Sequence, residues 1–218
     1  KTEFEETKLR EIADRWTARI ESLNADGLVL YEVQDESDRS DAQRTFEFSG
    51  TLSPQSYYAN YLKVATPGVF YRVAGGYDES EFRAALAAQS VDLCALVGAT
   101  SSTQKTRLEL TRAYEIAGEF KNLASGGVCI AERHGKKGDE PQRMLEKIRL
   151  GAKFFISQAI FDADLARKFL EDCAAAEISE PIFLTFSTAG NPKTLEFIKW
   201  LGVSVPQSVE SRLNASVD

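Results

Sequence analysis

The sequence predicts a parallel α/β protein, an incomplete (β/α)8 TIM-type barrel, and three observations point to it. Six apolar strand-like runs are each followed by a segment of helical period. Residues 126–162 compress strand, polar turn, helix and strand into a span that suits a right-handed βαβ unit with parallel strands. The open doubly wound alternative lacks its fingerprint, since no GxGxxG follows a strand and no GxxxxGK[ST] loop occurs. A barrel needs eight strands in typically ~250 residues. This chain of 218 residues shows six, beginning and ending on helices, so the first and last strands are expected to be missing from it.

Residues 4–23 set Phe4, Leu9, Ile12, Ala13, Trp16 and Ile20 near a 3.6-residue period, an amphipathic helix with a solvated charged face. Residues 27–33 (GLVLYEV) form a strand, followed by a polar loop to about residue 50, long enough to suggest function. Ser53-Pro54 opens a helix with a capping residue and then Pro at the first helical position. Residues 68–73 (GVFYRV) are a strand; Asp78 with Glu81 starts the next helix in a capping-box pattern. Residues 91–97 (VDLCALV) and 127–131 are strands around a helix at 106–120. A polar turn then leads to a helix at 140–150, with Met144, Leu145 and Ile148 inward and Gly151 as its stop. Strands at 153–160 and 181–186 alternate with helices at 162–176 and 192–200, and a last short helix follows Val205-Pro206. No low-complexity linker or charge block interrupts the chain, so residues 1–218 read as one domain.

Composition narrows the function. The chain is 43% hydrophobic and 27% charged, and its net charge of −7 argues against nucleic-acid or anionic-membrane partners. No apolar run nears the ~20 residues of a membrane span, and no signal peptide is visible. Cys94, Cys129 and Cys173 have no CxxC spacing, which fits buried reduced thiols in a cytoplasmic protein. With a single histidine, no metal site is expected.

Parallel α/β proteins place ligands at the carboxyl ends of their strands. Glu132, Arg133 and His134 follow one strand, and Ser157 and Gln158 end the next. His134 is as suited to a ligand as to a structural contact, and Glu132 could orient it, hold a ligand or form a rim ion pair. Lys136, Lys137, Asp139 and Glu140 suit a solvated loop and an acidic helix start. Gln158, a buried amide in need of partners, matches a ring with alternating donors and acceptors such as a pterin or flavin. Asp35, Glu36 and Arg39 follow another strand, where a carboxylate could bind a heterocycle or act as general acid, or simply be solvated.

The segments GGVCIAERH and GAKFFISQAIFD, followed by LEFIKWLGVSVPQSVESRL, resemble the methylenetetrahydrofolate reductase family. That resemblance implies a barrel that reduces 5,10-methylenetetrahydrofolate to the 5-methyl form with NAD(P)H through FAD. It gives Gln158 the substrate contact and sets Glu132 and His134 beside the flavin. Glu140 and Lys147 fall near the cofactor, and residues 96–99 match the family's Leu-Arg-Gly-Asp turn, Gly98 and Ala99 included. Ala99 replaces the family's Asp, Val97 its Arg, and the family's catalytic glutamate belongs to the missing first strand; Asp35 or Glu36 would then supply the lost carboxylate. A flavin-independent reductase and a non-catalytic folate-binding barrel are the alternatives. The expected partner is a small tetrahydrofolate derivative, with a homo-oligomer left open.

Overall fold

Strand runs and helical segments alternate as their periodicities require. The computed structural model describes residues 3–32, 52–88, 92–98 and 106–215, which fall into two compact units: 3–32, 52–88, 92–98 and 106–124, and then 125–215.

In the first unit α1 (Glu3–Ser22) precedes β1 (Leu28–Leu30), and α2 (Pro54–Asn60) leads to β2 (Gly68–Val73). A 3-10 turn (Ala74–Gly76), α3 (Glu79–Ala87), β3 (Leu93–Val97) and α4 (Leu110–Gly118) complete it. β2 pairs in parallel with β1 on one side and β3 on the other. The start signals act as expected. Ser53 Oγ accepts from the Ser56 amide ahead of Pro54, and Asp78 and Glu81 form a reciprocal capping box. Ile20, Leu30, Leu62 and Phe70 form an apolar cluster.

A buried charge pair lies at the end of β1 and β2, and nothing in the sequence pattern marks it. Arg72, in the apolar run GVFYRV, is 2% exposed. Glu32 Oε1 lies 3.9 Å from the Arg72 guanidinium, Glu32 Oε2 accepts from the Val73 amide at 2.9 Å, and Tyr77 donates its hydroxyl to Glu32. Arg72 also donates to Gln55 Oε1 at 3.2 Å. Burial, then the bond to Glu32, pushes the Tyr77 phenol up to about 12, so it stays a donor.

In the second unit β4 (Ala124–Cys129, with Ala124 in the first unit), β5 (Phe155–Ala159) and β6 (Ile182–Thr185) are parallel, β5 pairing with both neighbours. The helices are α5 (Ala131–Lys137), α6 (Glu140–Arg149), α7 (Ala163–Ala175), α8 (Pro192–Trp200) and α9 (Gln207–Ala215). Here the structure corrects one expectation, because the polar turn after β4 is the helix α5. It ends at Gly138, whose φ of +69° and amide bond to the His134 carbonyl make a left-handed C-cap. Its mixed residues, with Gly135 in the middle, give no apolar stripe to read. The described residues carry six strands, against the eight of a complete barrel. Among them no helix is long and apolar enough to cross a membrane.

β4 can approach the β5 side only because it carries glycine. A Cβ on Gly126 would overlap the ring of Phe154, which is itself 7% exposed and packed edge-on against Phe183. Gly126→Ala is expected to destabilise the protein by about 1–3 kcal/mol through overpacking, read as a lower urea midpoint. Adding Phe154→Leu should recover part of the loss, and an unchanged midpoint in Gly126→Ala would refute the packing argument.

Candidate functional site

The ends of β4 and β5 open onto a cavity of about 490 Å³ within the second unit. Ile130, Glu132, Arg133, Lys136 and Lys137 line it from the β4–α5 side, Gln158 from β5, and residues 199–202 from the end of α8. Sequence reasoning placed Glu132 and Gln158 at strand ends, and the fold brings them to one cavity. It did not identify Lys199, Trp200, Leu201 or Gly202, which enter by tertiary folding alone.

Gln158 is aimed by an irregularity in the sheet. Ile156 pairs with Phe183 and Ala159 with Thr185, so Ser157 and Gln158 together oppose the single residue Leu184. Such a bulge interrupts side-chain alternation and redirects what it carries. It is pinned by its own hydroxyls. Ser157 Oγ accepts from the Thr185 amide at 2.8 Å and donates to the Gln158 carbonyl at 2.8 Å, while Thr185 Oγ1 donates to the Ser157 carbonyl at 2.7 Å. Gln158 Nε2 donates to the Leu201 carbonyl at 3.0 Å. Its second N–H and its carbonyl oxygen remain for a ligand.

Glu132 lies in the first turn of α5 and is buried. Its Oε1 accepts from the Ser204 amide at 3.1 Å. Burial raises its carboxyl above the ordinary glutamate range, with nearby Asp162 adding to the rise and hydrogen bonds opposing it.

The other residues matched to a flavin serve the unit itself. His134 is buried and turns to α7, where Nε2 lies 2.8 Å from Asp172 Oδ2 and the ring packs near Phe169. Lys168 and then His134 hold the Asp172 carboxyl below its ordinary value. Glu140 has no exposed surface; Oε1 accepts from the Ile130 amide at 3.1 Å and Oε2 pairs with Arg133 at 3.1 Å. Lys147 donates to the Val128 carbonyl at 2.6 Å, and burial lowers its pKa. These three side chains are bonded inward, and of that set Glu132 borders the cavity. Gly98 follows β3 in the first unit, and Asp35, Glu36 and Ala99 lie outside the described residues. Burial raises the thiols of Cys94 and Cys129 to about 12 and of Cys173 to about 11, which keeps all three protonated and unreactive.

Residues 132–218 match the methylenetetrahydrofolate reductase family. An uncharacterised protein from Clostridium thermocellum that binds two copies of 5-methyl-5,6,7,8-tetrahydrofolic acid is 36% identical, with a TM-score of 0.80 over 99% of this chain and 71% of that one. 2,3-Dimethylmalate lyase, of the PEP mutase/isocitrate lyase superfamily, is 12% identical with a TM-score of 0.51 over 92% of this chain and 72% of that one, a likeness of fold alone. No curated protein matches the sequence.

Two outcomes follow from this geometry. Ser157→Ala leaves the Thr185 amide without its acceptor and is expected to cost about 1–3 kcal/mol; a chemical-denaturation midpoint equal to wild type would show that the bulge does not need the hydroxyl. Glu132 binds its proton more tightly in the folded state, so its contribution to stability falls as pH rises from the ordinary carboxylate range through its raised value. Glu132→Gln should therefore melt higher than wild type near about pH 7, with the gap closing near about pH 4. An equal gap at both pH values would refute that assignment.

Proposed function

Since the chain belongs to the methylenetetrahydrofolate reductase family, we propose that it binds a reduced one-carbon folate in this cavity and catalyses hydride transfer to it. The observation that carries the reading is the convergence of Glu132 and Gln158 beside Trp200 at the ends of two adjacent parallel strands. A pterin edge presents an amide-like N–H, an amino group and a carbonyl. Gln158 can meet it with a donor and an acceptor. Trp200 supplies an aromatic wall for the ring.

Reduction of 5,10-methylenetetrahydrofolate requires the bridge to open, with a proton at N10 and an iminium at N5. Hydride from NAD(P)H to the iminium carbon then yields the 5-methyl product and NAD(P)+. Glu132 retains its proton to higher pH than an exposed glutamate, which suits it to lend the N10 proton. Gln158, held by Leu201, restrains the ring for attack. His134, Glu140 and Lys147 are bonded within the unit, and no step is assigned to FAD. The same commitment favours a second reading, a folate-holding protein without turnover.

Titration calorimetry with 5-methyltetrahydrofolate, together with NAD(P)H oxidation in the presence of 5,10-methylenetetrahydrofolate, with and without added FAD, tests both. Binding with turnover supports the reductase, and binding without turnover supports the holding protein. Gln158→Ala is expected to weaken folate binding about tenfold or more, as the loss of one or two buried hydrogen bonds implies. Failure of the wild type to bind any reduced folate overturns both readings.

A further inference from the structure

We propose that Asp162 is a positioning residue for the cavity, acting through Ser204 to hold the Glu132 carboxyl in place and to favour its acid form. The proposal rests on the folate reading, in which Glu132 lends a proton. Asp162 caps α7, its Oδ1 accepting from the Leu165 amide at 3.0 Å. Capping engages one oxygen and leaves the other free to bond elsewhere. That second oxygen, Oδ2, lies 3.5 Å from Ser204 Oγ, which donates its hydroxyl. The amide of the same Ser204 donates to Glu132 Oε1 at 3.1 Å. One residue thus links two carboxyl groups. Val203 before it is 5% exposed and packs in an apolar cluster with Leu195 and Ile198, which fixes where the link stands.

A buried carboxyl beside a second carboxylate holds its proton more readily than an isolated one. Burial is the main cause of the raised value at Glu132, and Asp162 adds to it. The cations nearby act in the opposite sense. Lys136, on the same helix, draws the carboxyl down, and Arg133, Lys137 and Lys199 line the same cavity. Arg133 is paired with Glu140 at 3.1 Å and Lys199 with Glu210 at 2.6 Å. Asp162 therefore offsets a cationic wall that would otherwise ionise the acid at lower pH.

The experiment is a double-variant cycle on the full chain. Asp162→Asn and Asp162→Ser each keep a helix-capping side chain and remove the charge. The stability gap between Glu132 and Glu132→Gln is measured by chemical denaturation from about pH 4 to about pH 8, in the wild-type background and in each Asp162 variant. In both variants the gap is expected to be smaller near neutral pH. It should level off about half a pH unit lower, a loss of proton affinity of roughly threefold. A purely structural role for Asp162 lowers both members of the pair alike, so an equal gap in all backgrounds would overturn the proposal. A wider gap would do the same. The alkaline fall of turnover should move down by the same interval in Asp162→Asn, and a fall at the wild-type pH would also overturn it. Absence of turnover in the wild type at every pH removes the reductase reading alone, because the stability gap reads the Glu132 proton without substrate.

Discussion

Glu140 is a fully buried carboxylate whose negative charge is met from two sides, and the geometry of the second unit depends on it. The Ile130 amide and the Arg133 guanidinium each reach it at 3.1 Å, one from the end of β4 and the other from α5. Two turns further along α6, Lys147 closes on the Val128 carbonyl at 2.6 Å. One helix is thus bonded at both ends to the close of one strand and the residue that follows it. A carboxylate taken out of water costs several kcal/mol unless its partners are in place, so α6, β4 and the start of α5 favour only arrangements that keep those partners together. The direction in which α5 leaves the strand follows, and with it the presentation of Glu132, Lys136 and Lys137 to the cavity.

This division of labour shows how polar residues near a strand end can be engaged by the protein itself. His134, Glu140 and Lys147 occupy positions that the resemblance assigns to a cofactor, yet each has a bonding partner within its own unit. A polar side chain at a strand end can satisfy a ligand or satisfy the protein. Which it does is decided by whether a neighbouring helix brings a complementary group first. Arg72 and Glu32 show the same outcome in the first unit, where a charge pair among apolar strand residues secures β2, the turn after it and α2 through Val73, Tyr77 and Gln55.

The cavity combines two electrostatic tendencies. Burial raises the carboxyl of Glu132, while the wall around it is predominantly cationic. Lys136 draws that carboxyl down, but less strongly than burial pushes it up. A group poised in this way can exchange a proton, whereas Gln158 beside it cannot titrate and is suited to orientation. The bulge at Ser157 supplies the rigidity that orientation demands, because two hydroxyls hold the strand where a regular ladder would have continued.

The alternation of parallel strands and helices was legible in the sequence because periodicity and caps are local properties. Ser53-Pro54, Asp78 with Glu81, and the apolar runs at Gly68–Val73 and Phe155–Ala159 carry their own instructions. The positions of Glu132 and Gln158 near strand ends were legible for the same reason. Tertiary structure alone decided what those side chains face. α5 holds its helical form through a Gly138 cap and contacts that no apolar stripe announces, and the wall at residues 199–202 arrives from more than forty residues beyond Gln158. The buried partners of Glu140, His134 and Arg72 are likewise fixed by packing, since a charge finds its counter-charge across the fold rather than along the chain.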